Sequence, residues 1–222
     1  MSESGKSRSR YTFPQWTNKL PVFLTVGGLI TLCFVVFVFW YWLSPKHTDV
    51  GYSPKQPIPY SHRLHAGQMG IDCRYCHSQI ERTGVANIPA TEVCMNCHKM
   101  VKTNSPYIKK IKESYDSGKP IPWVRVHLLP DYVYFNHARH LKSGISCVSC
   151  HGRVDQMDVV HQVQPLSMGW CLECHRHPER ALRPTEFITK LDWAAKDQLE
   201  MGRKIMAEKQ IHTREDCSTC HR

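Results

Sequence analysis

The sequence predicts a mainly α-helical and irregular fold with one transmembrane helix near the N-terminus. Three observations favour it. Residues 20–43 contain no charged side chain, and this segment is long enough to cross a bilayer as a helix. Only residues 132–135 give any support for a strand. Five copies of Cys-x-x-Cys-His are spread over residues 73–221, in a region whose chain is too short to enclose five sites in an ordinary apolar core.

The five motifs share one spacing, in which a histidine directly follows the second cysteine. They are Cys73-Arg-Tyr-Cys76-His77, Cys94-Met-Asn-Cys97-His98, Cys147-Val-Ser-Cys150-His151, Cys171-Leu-Glu-Cys174-His175 and Cys217-Ser-Thr-Cys220-His221. This is the attachment signature of c-type haem, in which two thiols add to the porphyrin vinyl groups and the histidine binds the iron. The sequence therefore predicts five covalently bound haems c.

Zinc and iron–sulfur sites also use Cys-x-x-Cys pairs, but their chemistry does not require a histidine after the second cysteine. With 14 histidines in 222 residues, five such histidines would coincide by chance roughly once in a million sequences. A disulfide scaffold leaves the histidines unexplained and needs poor loop geometry. Ten of the eleven cysteines belong to motifs, and the eleventh, Cys33, lies in the apolar run as a small apolar residue.

Charge and hydropathy divide the chain into four segments. Residues 1–19 form a basic tail expected in the cytoplasm, 20–43 a transmembrane signal anchor, 44–59 a linker, and 60–222 a periplasmic pentahaem domain. Cleavage after the apolar run is the rival interpretation of the anchor. Haem c is attached outside the cytoplasm, and the basic N-terminus is expected inside it. Both observations therefore predict that residues 60–222 lie on the periplasmic side of the bacterial inner membrane.

The domain has about 160 residues for five haems, so the haems themselves must supply most of its core. Two helices are predicted over residues 106–118, capped by Ser105, and 186–210. The formal net charge of +10 raises the possibility of nucleic-acid binding. However, five ferric haems with their propionates would carry about −1 each and offset roughly half of that charge. A modest basic surface remains around residues 109–119, either as a solvated helix face or for an acidic redox partner.

An internal repeat organises four of the motifs. Tyr60-Ser-His62-Arg-Leu-His65 and Phe135-Asn-His137-Ala-Arg-His140 each precede a pair of motifs, so residues 60–100 and 135–176 read as two copies of a two-haem unit, with a fifth haem at 217–221. Histidines three apart lie on one side of a helical turn, and a haem with one proximal histidine has one open axial position. Each pair is therefore predicted to bind two different irons. This arrangement, an aromatic residue and His-x-x-His before a Cys-x-x-Cys-His motif, resembles that of multihaem cytochromes of the c3 and c7 type.

Full bis-histidine ligation needs five distal ligands besides the proximal His77, His98, His151, His175 and His221. The predicted distal ligands are His62, His65, His137 and His140, with His127 for the fifth position. Met168 and His161 compete with His127, and methionine ligation would raise the potential of its haem. His47 is expected at the membrane interface, and His177 and His212 at the surface. The pairing of distal ligands with irons stays open.

All five motifs end in histidine and spare histidines exceed the open positions, so the sequence predicts an electron relay with no catalytic residue. The first alternative is a stand-alone membrane-anchored quinol dehydrogenase of the NapC/NrfH type. The second, which the sequence favours less, is a multihaem reductase. Multihaem reductases keep one haem open to substrate. The uncharged single helix offers little to bind and deprotonate quinol by itself, which favours a subunit of a larger complex.

The anchor, the five motifs, residues 123–140 and the run Gln164-Pro-Leu-Ser-Met168-Gly-Trp-Cys171 together resemble the pentahaem cytochrome c subunit of alternative complex III. The resemblance implies a respiratory quinol:electron-acceptor oxidoreductase. Its implied partners are polytopic quinol-binding membrane subunits, an iron–sulfur subunit and a monohaem cytochrome c. It further implies transfer of electrons to a periplasmic carrier or a terminal oxidase.

Overall fold

The computed structural model describes residues 12–221, and their regular structure is helical. Pairing between extended segments in this part of the chain consists of two isolated antiparallel bridges, Val133 with His221 and Ile145 with Leu182. The expected mainly α-helical and irregular fold is confirmed. The support for a strand at residues 132–135 corresponds to the first bridge, which ties the middle of the chain to the C-terminal motif.

A continuous helix from Gln15 to Trp42 contains the predicted membrane segment, and by length and composition it is apolar enough to cross a membrane. Its α-helical part, α1, spans Leu20–Phe37; a 3-10 turn, Gln15–Lys19, precedes it and a π-helical turn, Val38–Trp42, follows it. The side chains of α1 face outward. Most of the predicted basic tail, residues 1–11, lies outside the described residues.

The predicted linker contains a short helix and is attached to the domain. Helix α2 spans Pro45–Thr48. The backbone then pairs with a distant segment, since Gly51 N–H donates to Gln162 O at 2.7 Å and Gln162 N–H donates to Tyr52 O at 3.0 Å. These bonds hold residues 51–52 against the domain, so only a few residues separate the anchor from the first fixed point.

Eight further α-helices, all short, follow in the described chain, with 3-10 and π-helical turns and irregular segments between them. They are α3 Cys73–Cys76, α4 Thr91–His98, α5 Pro106–Ser117, α6 His137–Ser143, α7 Cys147–His151, α8 Met168–Arg176, α9 Gln198–Lys209 and α10 Cys217–Cys220. Helix α5 lies where residues 106–118 predict it, with Ser105 at the N-cap position and Gly118 ending it at φ 67°. The Ser105 side chain makes no capping hydrogen bond.

The prediction of one helix over residues 186–210 is wrong for its first half. A 3-10 turn at Thr185–Phe187 is followed by turns, and α9 begins only at Gln198, where the Asp197 side chain accepts a hydrogen bond from Glu200 N–H. Tertiary contacts outweigh helix propensity here, because Ile188 O accepts a hydrogen bond from the buried Ser146 hydroxyl at 2.6 Å. A helix through this residue would direct that carbonyl along its own axis.

Few apolar side chains are buried. The buried apolar residues of the described chain are Ile58, Met95, Ile111, Ala138, Leu141, Leu182, Ile188, Leu191 and Ile205. One cluster joins Ile58 of the linker to Met95 of α4 and Ile111 of α5. A chain of this length ordinarily encloses a larger core, so the fold leaves most of its interior surface to be covered by something other than polypeptide.

Candidate haem sites

Five candidate sites, numbered 1 to 5 in chain order, are defined by the motifs that end at His77, His98, His151, His175 and His221. In each of them the residues from the first to the second cysteine lie on a helical turn, in α3, α4, α7, α8 and α10. Side chains three residues apart project from one face of a turn. The two thiols of each motif are thereby presented together, as two thioether bonds to one porphyrin require.

Hydrogen bonds to backbone carbonyls fix the orientation of seven of the ten predicted iron ligands. In each, the ring Nδ1 lies 2.7–3.2 Å from a carbonyl oxygen. The seven are His65, His77, His98, His137, His140, His175 and His221. A carbonyl only accepts, so Nδ1 carries the proton and Nε2 keeps its lone pair. This is the tautomer that a metal-binding histidine needs, held by the kind of partner that such histidines use.

Three pairs of predicted ligand rings lie at closely similar distances. The centroids are 6.3 Å apart for His65 and His98, 6.2 Å for His140 and His175, and 6.5 Å for His137 and His151. Two imidazoles bound at about 2 Å to opposite faces of one metal ion have their centroids roughly 6 Å apart. Each pair therefore has the spacing of two axial ligands on one iron, at sites 2, 4 and 3.

The two repeats have nearly the same local geometry. Tyr60 meets His62 edge-on at 4.8 Å and stacks on His65 at 4.4 Å. Phe135 meets His137 edge-on at 4.7 Å and stacks on His140 at 4.4 Å. The aromatic residue two positions before each His-x-x-His therefore packs against both rings at once. It sets the angle between the two imidazoles that the sequence assigns to different irons.

Burial keeps several of these histidines neutral. Burial and the neighbouring His77 and His65 lower the pKa of His62 to about 4. Burial and four nearby histidines, led by His127 and His137, lower the pKa of His151 to about 3. A neutral imidazole is the form that binds a metal. The buried nitrogen atoms His62 Nδ1 and His127 Nε2 have no hydrogen-bond partner, which is costly in a fold without a further group to satisfy them.

Sites 1, 2 and 3 are neighbours. The Asn96 side-chain N–H of site 2 donates to the Tyr75 hydroxyl of site 1 at 3.0 Å. The Cys73 thiol of site 1 contacts the Cys147 thiol of site 3, which lowers the pKa of Cys73 and raises that of Cys147. Site 1 therefore lies between sites 2 and 3.

The chain continues this series through sites 4 and 5. Helix α6 serves both sites 3 and 4, because His137 faces His151 and His140 faces His175. At the far side, His175 Nδ1 donates to Arg214 O at 2.8 Å, three residues before the first cysteine of site 5. In space the sites follow the order 2, 1, 3, 4, 5, so the two repeats adjoin through their first sites, 1 and 3.

The donor set fits haem c. Paired thiols on one face of a turn, a histidine with a free Nε2 at its end, and a second imidazole at bis-axial distance occur together at sites 2, 3 and 4. Buried orphan nitrogen atoms and the small apolar core point to a large group inside the fold.

The comparisons with known proteins agree with this chemistry. The model of the family described as cytochrome c7 and related cytochrome c matches residues 133–222, which include sites 3, 4 and 5. A relative named menaquinone reductase, multiheme cytochrome c subunit, from Nitratidesulfovibrio vulgaris (strain Hildenborough), is 32% identical over 170 residues. The match covers 75% of this chain and 73% of the relative. The chain belongs to the multihaem cytochrome c family. Covalent haem c is accordingly the cofactor of this cytochrome.

The remaining predicted ligands of the cytochrome are placed less regularly. His127 lies with its ring edge-on to His151, at 4.3 Å between centroids, which is too close for two ligands across one iron. His161 lies near His127, and both burial and this neighbour lower the pKa of His127. Met168 is 63% exposed at the start of α8. None of the three is brought opposite His221 by a contact in the described chain, so the second ligand of site 5 is the least defined.

The histidines expected to be non-ligands also have clear positions. His47 packs against Trp42 at 4.8 Å, at the end of the apolar helix, where an interfacial residue is expected. His177 lies 3.6 Å from a carboxylate oxygen of Glu179, and His212 is exposed.

Two features of the cytochrome were missed by sequence reasoning. The first is the set of carbonyls that orient the ligands, such as Asn87 O for His77 at 2.7 Å and Gly84 O for His137 at 3.0 Å. Backbone groups leave no signature in residue types. The second is the Tyr75–Asn96 contact between sites 1 and 2, because both residues stand at the variable positions of their motifs.

Proposed function

We propose that this cytochrome is an electron-transfer subunit that carries electrons through five covalently bound haems c. The spacing of 6.2–6.5 Å in three histidine pairs supports this function most strongly, because two imidazoles at that distance could together hold one haem iron. A bound haem supplies a one-electron site whose potential its ligands and surroundings set. The chain would supply ten thiols, the five proximal histidines and the distal His62, His65, His137 and His140. For the fifth distal ligand the sequence favours His127, although in the described chain its ring lies against His151.

The contacts of the sites suggest what the polypeptide does in such a relay. His-x-x-His turns place ligands of two irons within one helical turn, so neighbouring redox centres are held close with few residues. Carbonyl hydrogen bonds fix the imidazoles before and after a change in iron charge, which limits reorganisation. If all five irons are held by two protein ligands, as proposed, the cytochrome transfers electrons and does not bind a small substrate.

We place the five-haem domain on the periplasmic face of the bacterial inner membrane, fixed by the single helix Gln15–Trp42. Its proposed partners are polytopic quinol-binding membrane subunits, an iron–sulfur subunit and a monohaem cytochrome c, as in alternative complex III. The proposed direction is from quinol to a periplasmic carrier or a terminal oxidase. The motif combination around Met168 supports this complex in particular.

A second direction of transfer is supported by the relative, whose name assigns it to a menaquinone reductase. In a complex of that kind the same relay would carry electrons toward the quinone. A stand-alone quinol dehydrogenase remains the alternative in which no other subunit holds the quinone.

Haem content tests the relay itself. The purified full-length protein should give five haems c per chain in a pyridine haemochrome assay, and its resting ferric iron should be low-spin. Each Cys-x-x-Cys pair changed to Ala-x-x-Ala should remove one haem. Fewer than five haems in fully matured protein, or rapid cyanide binding to the resting protein, would contradict the proposal.

Purification in mild detergent tests the partners and the direction. Co-purification with polytopic and iron–sulfur subunits supports the larger complex, whereas isolation alone with menaquinol-oxidising activity supports the stand-alone enzyme. With the complex in hand, haem reduction on adding quinol, against quinone reduction on adding a reduced periplasmic carrier, separates the two directions.

A further inference from the structure

The order of the sites gives the relay two ends, site 2 and site 5, and their surroundings differ in charge. Residues 91–119, which form site 2 and the adjoining α5, contain six lysines against three acidic residues. The charged residues beside site 5 are paired with one another, as in Arg176 with Glu215 at 3.0 Å and Arg214 with Asp216 at 3.1 Å. Site 2 is therefore the basic end.

The lysines of site 2 lie on its outer surface. Helices α4 and α5 pack through Met95 and Ile111, which directs the opposite face of α5 to solvent. The exposed lysines are Lys99, Lys102, Lys109, Lys110, Lys112 and Lys119. Three of them have partners within the chain: Lys99 lies over the Tyr115 ring, Lys110 over the Tyr107 ring, and Lys112 pairs with Asp116.

An apolar patch lies within this basic region, beside the haem-attachment residues. Met100 is 87% exposed and Val101 51% exposed, two and three residues after His98. Apolar side chains at the centre with charges around them form the usual anatomy of a transient interface. Electrostatic attraction then sets the rate of encounter.

We propose that this surface, the site 2 lysine face, docks an acidic, soluble electron-transfer protein. This inference rests on the proposed relay, and it identifies site 2 as the end of the relay at which a mobile partner exchanges electrons. Charge complementarity selects the partner: a carrier with a negative surface around its redox centre is attracted to the lysines and contacts Met100 and Val101. The carrier gains or loses one electron, and no bond forms or breaks.

The test uses an oxidised acidic blue copper protein of the plastocyanin type and the dithionite-reduced full-length cytochrome in detergent. One electron passes to each copper(II), which becomes copper(I). The patch variant is K102E/K109E/K119E, chosen because these lysines lie outside the ring contacts and the ion pair above. The matched control, K142E/K196E/R203E, has the same change in charge on exposed positions away from site 2.

Stopped-flow rates at low salt should fall by about tenfold or more in the patch variant, in the range that electrostatic steering provides. In the control variant, the fall in the logarithm of the rate should be less than a third of the fall in the patch variant. At high salt the rates of the wild type and of both variants should converge. A basic cytochrome c used as the oxidant should give the opposite sign, with a faster reaction in the patch variant. Equal falls in both variants, or no change in the patch variant, would overturn the proposal.

Haem content and reduction by dithionite are measured first in every variant. If the wild type carries no covalent haem or does not accept electrons, the relay and the docking surface both fail. If all variants are fully loaded and exchange electrons equally with the acidic protein, the docking surface alone fails. Should the patch variant not mature, K109E and the salt dependence of the wild-type rate decide the question, and a wild-type rate independent of salt counts against docking.

Discussion

Replacing His140 with alanine is expected to open the iron of site 4 alone. The His140 ring lies 6.2 Å from that of His175, and its Nδ1 is held by Asn136 O at 2.8 Å, so Nε2 is directed to the site without a protein competitor. With five motifs in the chain, one fifth of the iron should change from low-spin to high-spin. The change should appear in the ferric electron paramagnetic resonance spectrum and as new cyanide binding by one haem per chain.

The repeat provides a matched experiment. His65 faces His98 at 6.3 Å, so His65→Ala should open site 2 to the same extent, and the double variant should open two fifths of the iron. His212→Ala, at an exposed position, is the control and should leave the spectrum unchanged. If His140→Ala leaves every iron low-spin, or if His212→Ala gives the same high-spin fraction, the pairing inferred from ring distances is wrong.

Three further predictions concern stability. Gly202→Ala should lower the free energy of unfolding by about 1–3 kcal/mol, because the new Cβ would clash with the backbone carbonyl oxygen of Glu179. Gly169→Ala, whose Cβ would meet nothing within 4 Å, should change the free energy of unfolding by less than about 1 kcal/mol, and thermal melts compare the two variants. Phe135→Ala should lower the free energy of unfolding, measured with denaturant, by about 1–3 kcal/mol. Because the Phe135 ring packs on two predicted ligands, the low-spin signals of two irons should also broaden. Hydrogen bonding by Arg74 lowers the pKa of Asp72 from 3.8 to about 2. The Asp72 carboxylate therefore stabilises the fold above about pH 3.8, and this stabilisation is lost as the pH falls toward 2. Asp72→Asn should flatten this part of the stability–pH curve, and an unchanged curve would contradict the assignment.

Local spacing allowed much of this molecule to be predicted. The thiols and proximal histidines follow from a five-residue pattern, and the His-x-x-His turns follow from helical periodicity. Helix α5 was predictable because Pro106 and Gly118 mark its two ends within a short, amphipathic segment. The apolar anchor needs only composition and length.

Long-range contacts account for what could not be predicted. The order of the sites depends on pairs such as Tyr75 with Asn96, 21 residues apart, and His137 with Gly84, 53 residues apart. The predicted helix over 186–210 failed because Ile188 O is used by Ser146, 42 residues earlier in the chain. Neither kind of partner is marked by a local pattern, and both arise only once the chain is packed.

The scarcity of buried apolar side chains has a consequence for how the protein is made. With nine such residues in the described chain, the polypeptide has little to drive collapse before its cysteines react. If the domain is exported as proposed, the nascent chain can stay open afterwards, with its motif thiols within reach of an attachment enzyme. Maturation would then run in one order, covalent modification first and folding second, and a chain missed by that enzyme would stay unfolded and open to proteolysis.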